Sequence, residues 1–241
     1  MKDSCFELQE DLSGVFGRNY YRLSNLNYVN IRDDLAGLDG PNIVVAQLWG
    51  EDAYNAKILG CLGFQKISLL ALMARDLTEG SSGRGAPPTS GLDLDGALLD
   101  RHALNLRLNG LAFDPRITEE TVVAFNRRRL EQALRANDAL HFVDEDGLLI
   151  FKPEVHPEDG SKVTLDLFSV LSQRKGLGTA LARRVFDWAW DRGTRRIEVS
   201  TECENVPALL FYQKCGFRLT RTVAIFHRHA GAQAAMTTPA G

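Results

Sequence analysis

Two short stretches near the C-terminal end of the chain carry residue types whose spacing could do chemistry. The first, residues 173–179, reads QRKGLGT and lies between a predicted strand and a predicted helix. Its two glycines let the backbone turn tightly and present N–H groups, and the following helix adds the positive end of its dipole. With the charges of Arg174 and Lys175 this loop could bind a pyrophosphate. The alternative is a plain tight turn between strand and helix.

The second stretch, residues 205–217, reads NVPALLFYQKCGF, and the two stretches in this order resemble the signature of the Gcn5-related N-acetyltransferase (GNAT) superfamily. The first pattern of that signature, Q/R-x-x-G-x-G/A at a helix start, is filled by Gln173, Gly176 and Gly178. The second pattern, N-x-x-A-x-x-x-Y-x-K-x-G-F, is filled by Asn205, Ala208, Tyr212, Lys214, Gly216 and Phe217. The resemblance covers residues 113 to about 229. It implies the GNAT acyl-CoA N-acyltransferase fold of the α/β (α+β) class, in which helices flank a mixed, mostly antiparallel sheet.

The resemblance also implies that acetyl-CoA is the cosubstrate and that the backbone of the first stretch binds its pyrophosphate. The pantetheine arm would pair like an extra strand with a sheet edge, where the two central strands separate. The connection from this edge to the first stretch is shorter than is usual in the superfamily, which leaves the register of these contacts open. The residues implied to contact the cosubstrate are Phe168, Ser169, Val170, Gln173, Arg174, Lys175, Gly176, Leu177, Gly178, Thr179, Asn205 and Phe211.

Tyr212 and Asn205 are the catalytic residues that the resemblance implies. A phenol with a pKa of about 10 is protonated at neutral pH, so Tyr212 could act as the acid toward the departing sulfur. The alternatives are a tyrosine that packs on the wall of the site and an asparagine that caps a helix. No carboxylate pair or His/Cys cluster has the spacing of metal ligands, so no metal is expected. The general base stays open among side chains that could equally be solvated or structurally bonded: Asp166, Glu202, Glu204, His227 and His229.

Hydrophobic periodicity predicts the elements that hold these residues. Helices are expected over 119–135, 179–192 and 207–214. A hairpin is predicted from 141–143 to 148–155, and further strands are predicted over 162–171, 196–200 and 217–227. In the strand over 162–171 we expect one face to carry Leu165, Leu167, Ser169 and Leu171, and the other face to carry Thr164, Asp166, Phe168 and Val170.

A stretch rich in Gly, Ser and Pro, residues 79–97, has no helical or strand period and predicts a linker or long loop. We therefore expect a smaller N-terminal α/β domain over 1–78, the linker, an acetyltransferase domain over 98–230 and a flexible tail over 231–241. The first domain is predicted to contain a strand over 43–48, a helix over 52–62 and a strand over 67–73. No repeat at a fixed period is expected, although this strand–helix–strand order echoes the end of the second domain.

Composition argues against several classes of protein. The chain has 241 residues, with 28 Lys+Arg against 31 Asp+Glu and a net charge of −3, which argues against a nucleic-acid partner. The arginine run 127–129 is expected to be a solvated helix face. The longest apolar runs, such as 69–74, fall far short of the roughly 18–20 residues that cross a bilayer, and no signal-peptide core follows the first residues, so we expect no membrane partner and a cytoplasmic location. The cysteines are interpreted as reduced thiols: Cys5, Cys61, Cys203 and Cys215.

The order of the parts also resembles the TDP-fucosamine acetyltransferase group of the superfamily. This narrower resemblance rests on segments 12–17 (LSGVFG) and 56–64 (AKILGCLGF), on the helix near 113–134 and on the last strand, ending at 225–229. It implies an acceptor amine on a nucleotide-linked, dTDP-type amino-deoxysugar, whose diphosphate Arg116 or Arg127 could bind. The alternatives are an acetyltransferase for another small-molecule amine or a protein, and a CoA-binding regulatory protein without turnover. The acceptor, the use of longer acyl-CoA chains and the oligomeric state, for which a homodimer is one option, stay open.

Overall fold

The computed structural model describes residues 5–24, 28–38, 40–50, 52–78, 87–91, 93–144, 146–156, 160–172 and 176–231. The strands are β1 (Phe6–Leu8), β2 (Asn19–Leu23), β3 (Asn42–Trp49), β4 (Gln65–Asp76), β5 (Leu140–Asp144), β6 (Gly147–His156), β7 (Gly160–Val170), β8 (Arg196–Glu202) and β9 (Arg218–Ala230). The helices are α1 (Glu10–Phe16), α2 (Tyr28–Ala36), α3 (Ala53–Cys61), α4 (Gly96–Asn105), α5 (Glu119–Arg135), α6 (Leu177–Asp191) and α7 (Val206–Lys214), and a 3-10 turn, Gly110–Phe113, lies between α4 and α5. Every helix and strand predicted for 43–73 and 119–227 is present.

Contacts divide the chain into two compact units: unit 1 is Met1–Ile67 with Ala224–Gly241, and unit 2 is Ser68–Val223. Two strands have residues in both units, because β4 begins in unit 1 and continues in unit 2, while β9 begins in unit 2 and ends in unit 1. The linker predicted over 79–97 from composition lies after β4 and stays a prediction. Helix α4 begins inside that stretch at Gly96, and residues 79–86, 92 and 232–241 lie outside the described residues.

The sheet of unit 2 has the strand order β9-β4-β8-β7-β6-β5. The pairs β4/β8, β6/β7 and β5/β6 are antiparallel, and β7/β8 is parallel, so the expected mixed, mostly antiparallel sheet is confirmed. One apolar cluster joins Phe151 of the sheet to Val185 of α6 and to α7. A second joins Ile150 to Leu99 of α4 and Leu130 of α5. Because neighbouring residues of β6 enter different clusters, helices flank both faces of this sheet.

A β-bulge in β7 changes which of its residues share a face. Phe151 pairs with Leu165 and its neighbour on β6 pairs with Leu167, so Asp166 is an extra residue without a register partner in these strands. Leu165 and Phe168 therefore pack in the cluster that includes α6 and α7, whereas Leu167 packs in the cluster that includes α4 and α5. The expected common face of Leu165 and Leu167 is wrong, because alternation along a strand fails where a residue is inserted.

The sheet of unit 1 has the strand order β1-β2-β3-β9. Strands β1 and β2 are antiparallel, and β2 and β3 are parallel. Strand β3 is buried, since Ile43, Val44 and Ala46 have no exposed surface, as is typical of a central strand. Periodicity does not predict β1, α1, β2 or α2, because these elements are short and α1 has no buried residue.

The segments β3–α3–β4 and β8–α7–β9 have the same local plan. Asp52 caps α3 by accepting the N–H of Asn55, and Asn205 caps α7 by accepting the N–H of Ala208. After the helices, Gly63 and Gly216 both adopt a left-handed φ of 85°. This conformation strains any residue with a Cβ atom, so both segments need glycine at this turn.

The buried phenylalanine after each of these glycines completes the match. Phe64 donates its N–H to the carbonyl of Leu59, and Phe217 donates its N–H to the carbonyl of Tyr212, both at 3.0 Å. The cap, the glycine, the phenylalanine and the bonded carbonyl are each separated from their counterparts by the same distance along the chain. The two segments are therefore two copies of one local plan, in agreement with the echo that the strand–helix–strand order predicts. Outside these positions the two copies share few residues.

Candidate active site

The start of α6 in unit 2 presents backbone N–H groups at the predicted phosphate loop. Gly176 precedes the helix with a left-handed φ of 74°, and no side chain caps the helix among the described residues. The first helical residues are Leu177, Gly178 and Thr179, whose N–H groups have no partner within an α-helix. Such a helix start can bind an anion. The remaining predicted loop residues lie outside the described residues: Gln173, Arg174 and Lys175.

Phe211 on α7 lies where three elements of unit 2 meet. Its ring packs edge-to-face against Phe168 of β7, with the ring centroids 5.4 Å apart. A Cβ atom on Gly178 would lie 3.3 Å from Phe211 Cε2 and 3.6 Å from Val170 Cγ2. A bulky residue at Gly178 would have to displace Phe211 or Val170. Glycine therefore sets the close approach of α6 to the end of β7 and to α7.

The two parallel strands β7 and β8 separate toward their C-terminal ends. Their register pairing ends at Leu165 with Val199. Beyond this point, residues 167–170 of β7 pair with β6, and residues 200–202 of β8 pair with β4. The bulge at Asp166 lies where the strands part. Among the described strands, none pairs with the β8-facing edge of 167–170, which is the geometry that an added strand-like ligand needs.

Tyr212 of α7 is only 7% exposed. Its ring packs edge-to-face against Phe211 and Phe217, with centroid distances of 5.3 and 5.5 Å. Burial is the main cause that raises the pKa of this phenol above its ordinary value, and the charges of Cys215 and Glu202 act in the same direction. The phenol is therefore protonated at neutral pH and can donate a hydrogen bond or a proton.

Asn205 fixes the start of α7 against the end of β8. Its side-chain Oδ1 accepts the N–H of Ala208 at 3.4 Å, and its own N–H donates to the carbonyl of Glu202 at 3.0 Å. These contacts are those of a helix cap, the alternative that the sequence left open for this residue.

Glu202, the last residue of β8, is a partly buried carboxylate beside the loop between α4 and α5. The N–H of Gly110 donates to its Oε1 at 2.7 Å. Burial raises the pKa of the Glu202 carboxyl, while its own backbone N–H, the N–H of Gly110 and the charge of Arg129 oppose that rise. The hydroxyl of Ser68 lies next to the same loop, since a Cβ atom on Gly110 would be 3.0 Å from Ser68 Oγ. A carboxyl with a raised pKa is suited to accept a proton near neutral pH.

The other base candidates have different surroundings. Asp166 forms an ion pair with Arg129 at 3.2 Å. Glu204 is exposed. His227 and His229 belong to unit 1, where the His229 Nδ1 lies 3.1 Å from a guanidinium nitrogen of Arg18. Of the five candidates, unit 2 therefore contains the three carboxylates, and Glu202 is the most deeply buried of these.

Both arginines expected at an acceptor diphosphate are already paired with carboxylates. Arg116 holds the fully buried Asp114 through two hydrogen bonds, Nε to Oδ1 at 2.9 Å and Nη2 to Oδ2 at 3.1 Å. Arg127 pairs with Asp100 and, at 3.2 Å, with Glu131. A diphosphate at either position would have to compete with these carboxylates.

Sequence reasoning missed the contribution of α4. His102 of this helix is fully buried and shares a 2.8 Å hydrogen bond with Ser169 Oγ, and Asn105 donates to the same oxygen at 2.9 Å. The sequence contains one indication of this helix: Asp95, a residue type favoured at helix N-caps, stands just before helically spaced apolar residues. In the structure its side chain accepts the N–H of Ala97. The composition of 79–97 obscured that indication.

Within the described part of the chain, no helix is long and apolar enough to span a membrane.

Residues 124–217 match the model of the acetyltransferase (GNAT) family. A relative from Bacillus subtilis (strain 168), described as the uncharacterized protein YxbD, is 37% identical over 67 residues. That match covers 28% of this chain and 41% of the relative, so the chain spans less than half of the relative's length.

Solved structures show the same fold at low sequence identity. A functionally unknown conserved protein from Staphylococcus epidermidis ATCC 12228 is 14% identical, with a TM-score of 0.54, and the match covers 95% of this chain and 92% of that one. A GCN5-related N-acetyltransferase from Sphaerobacter thermophilus is 13% identical, with a TM-score of 0.52 and coverage of 91% and 76%. A tandem GNAT protein from the clavulanic acid biosynthesis pathway is 14% identical, with a TM-score of 0.52 and coverage of 89% and 76%. The family model thus matches residues 124–217, and these solved structures share the fold of the chain.

Proposed function

We propose that this protein transfers the acetyl group of acetyl-CoA to a small-molecule amine by direct attack of the amine on the thioester. The observation that carries the proposal is the separation of β7 and β8 directly beside the uncapped start of α6. A strand edge for an extended arm and a helix start for an anion are the two binding features that an acyl-CoA requires.

The residues of the chain fit this cosubstrate. The left-handed Gly176 has no atom within 4 Å of a built Cβ, and Gly178 allows the close approach of α6 to Phe211. We propose that the loop and first turn of α6 bind the pyrophosphate, and that 168–170 bind the pantetheine arm. Acetyl-CoA, when bound, supplies an activated acetyl group, and holding it against the amine is a large part of catalysis.

We propose Tyr212 as the acid and Glu202 as the base. Glu202 accepts the proton that the amine loses as the C–N bond forms, and Tyr212 donates a proton to sulfur as the C–S bond breaks. The buried phenol is protonated and can donate a proton, and burial raises the pKa of the Glu202 carboxyl, which makes its ionised form a stronger proton acceptor. Asn205 supports both roles by fixing α7, which carries Tyr212, to the end of β8.

For the acceptor we propose the amine of a nucleotide-linked amino-deoxysugar. Its support is the resemblance in the order of parts. The ion pairs of Arg116 and Arg127 favour a second candidate, a small amine without a diphosphate, because neither guanidinium is left unpaired for phosphate. The two candidates differ in their use of binding energy, since a remote nucleotide would help to orient the amine.

The substitution Tyr212→Phe tests the proposed reaction. It keeps the ring that packs against Phe211 and Phe217 and removes only the hydroxyl. We expect the single-turnover rate to fall by roughly 10²–10⁴ while the affinity for acetyl-CoA stays unchanged. The matched control is Tyr20→Phe, which removes the hydroxyl of another buried tyrosine, in unit 1, and should leave the rate unchanged. An undiminished rate in Tyr212→Phe would leave Tyr212 with a packing role only.

The acceptor is tested by mass spectrometry with acetyl-CoA and a panel of amines. The panel contains TDP- and UDP-linked 3-amino and 4-amino deoxysugars, the corresponding free amino sugars, polyamines and peptides. A mass gain of one acetyl group on the sugar nucleotides, with weaker turnover of the free sugars, is the expected result. Acetylation of polyamines or peptides alone would overturn the sugar acceptor and leave the acetyltransferase proposal intact. No acetylation of any amine, with no binding of acetyl-CoA, would overturn both.

A further inference from the structure

Helix α4 carries three polar side chains that contact the end of β7 or the turn beside it: His102 and Asn105 contact β7, and Arg101 contacts Asp146 between β5 and β6. Asn105 follows Arg101 by four residues and His102 by three, so each of them shares a side of the helix with Asn105. Helix α4 lies outside residues 124–217, the part of the chain that matches the acetyltransferase family model.

The first set of contacts lies against β7. His102 is fully buried, and its Nδ1 shares a 2.8 Å hydrogen bond with Ser169 Oγ. Asn105 Nδ2 donates to the same hydroxyl at 2.9 Å and to the carbonyl of Val170 at 3.3 Å. Ser169 is itself 2% exposed. Two residues of α4 therefore hold the side chain of one β7 residue and the main chain of the next.

The charge state of His102 fits a hydrogen bond between neutral groups. Burial, with a smaller effect of the charge of Arg101, lowers the pKa of His102 to about 4. The ring is therefore neutral at physiological pH and carries no buried charge that would need a counterion. Because buried hydrogen bonds in a low-dielectric interior are stronger than exposed ones, this contact orders the β7 segment beyond the bulge.

The second set of contacts continues from β7 to the start of the phosphate loop. Arg101 pairs with Asp146 at 3.3 Å. The carbonyl of Asp146 accepts the N–H of Leu171 at 2.7 Å, and its carboxylate accepts the hydroxyl of Ser172. Arg101 thus acts through Asp146 on the two residues that leave β7 toward α6.

We infer that α4 is a positioning element for the cosubstrate: through Arg101, His102 and Asn105 it holds residues 169–172 in the conformation that binds acetyl-CoA. This inference rests on the proposed function, since 168–170 and the loop after them are the proposed cosubstrate site. Without these contacts the segment would have to be ordered at the moment of binding, and that entropy loss would reduce affinity. The acid on α7 and the base on β8 touch none of these three side chains in the described contacts, so the chemical step should be preserved.

Asn105→Ala is the main test, because Asn105 is exposed apart from its polar contacts and its loss does not open the core. We expect the Kd for acetyl-CoA, measured by calorimetry, to rise by about tenfold, the effect of losing hydrogen bonds worth somewhat over 1 kcal/mol. The single-turnover rate at saturating acetyl-CoA should stay within about twofold, and amide exchange at Leu171 should become faster. The matched control is Leu104→Ala, which truncates an exposed neighbour on the same helix and should change none of these values.

His102 gives a second test with a conservative rescue. His102→Leu removes the bond to Ser169, whereas His102→Asn keeps a polar atom near the position of Nδ1 and should restore part of the affinity. A Kd and an exchange rate that are unchanged in both Asn105→Ala and His102→Leu would overturn this inference alone. A fall in the chemical rate with unchanged Kd would overturn it as well. A parent protein that binds no acetyl-CoA would instead overturn the proposed function, and this role with it.

Discussion

Tyr212 and Leu59 occupy equivalent positions in the segments β8–α7–β9 and β3–α3–β4, which are two copies of one local plan. Both residues are buried. The last residue of β8 is Glu202, and the last residue of β3, at the same spacing, is Trp49. One copy therefore combines a phenol with a carboxylate, while the other has an alkyl group and an indole at these positions. The proposed proton transfers can occur in only one copy. We therefore expect one active site, formed by the copy that contains Tyr212 and Glu202.

The pKa of Glu202 gives a prediction about pH. The carboxyl must be ionised to accept a proton, and burial raises its pKa, so the chemical rate of the parent should rise as the pH passes through that raised pKa and then level off. Glu202→Gln, which can still accept the N–H of Gly110, should abolish this rise and lower the plateau rate by roughly 10²–10⁴. Single-turnover rates between pH 5 and 9 measure both effects.

Glu202→Gln should also change the thermal stability, and in the opposite direction to the rate. A carboxyl whose folded pKa lies above its unfolded pKa stabilises the fold when protonated, and that stability is lost as the pH rises through the folded pKa. Glu202→Gln should therefore unfold at an equal or higher temperature than the parent at neutral pH. Glu119→Gln, a change at a largely exposed carboxylate of α5, should alter neither profile. A rate–pH profile of Glu202→Gln that matches the parent would remove Glu202 as the base.

Spacing alone could predict part of the candidate site at this scale. Tyr212, Asn205 and the loop glycines lie in two contiguous stretches, so their order in the sequence is visible. Glu202 was one of five base candidates, because a sequence does not reveal how deeply a carboxylate is buried. Its partner Gly110 and the hydroxyl of Ser68 come from distant parts of the chain, and only folding brings them beside it.

At the scale of elements, the bulge in β7 changes which side chains share a face, and it lies where β7 and β8 separate. The elements with long apolar periods, such as α5 and α6, could be predicted, because their buried faces leave a clear pattern. The bulge could not, since one inserted residue looks like any other polar position in an alternating strand. Helix α4 was missed because it begins in a stretch whose Gly, Ser and Pro content suggested a loop.

The close approach of α6 to α7 predicts the effect of Gly178→Val. A Cβ atom already lies 3.3 Å from Phe211, so a branched side chain must displace that ring or move the start of α6. Overpacking at this position should cost about 1–3 kcal/mol. We therefore expect the Kd for acetyl-CoA, measured by calorimetry, to rise by about tenfold or more. The matched control is Gly60→Val in helix α3, where nothing lies within 4 Å of the Cβ. It carries the same helix penalty, so it should lower stability and leave binding unchanged. Equal binding by Gly178→Val and the parent would show that the start of α6 is not part of the cosubstrate site.

At the scale of the whole molecule, the path of β4 predicts how fragments behave. The composition-based domain 98–230 lacks β4, whose residues 70–76 pair with 196–202 of β8. A fragment with these bounds would leave β8 with an unpaired edge, which is a site of aggregation. We expect it to elute as aggregates in size-exclusion chromatography, whereas a fragment over 65–230, which retains β4, should contain less aggregate and more ordered strand by circular dichroism. A well-folded fragment 98–230 that binds acetyl-CoA would show that the linker marks the domain boundary.

Two further expectations from the sequence, a possible homodimer and a cytoplasmic location, stay predictions.

The shared strands also determine when each part of the chain can finish folding during synthesis. The ribosome delivers a chain from its N-terminus, and an N-terminal domain with all its strands can fold while the rest is still being made. Unit 1 lacks that advantage, because the strand beside β3 is β9, and β9 is translated after every other helix and strand described. Strands β1, β2 and β3 must wait with an open sheet edge until β9 emerges, so a ribosome that stalls before β9 would leave the sheet of unit 1 incomplete.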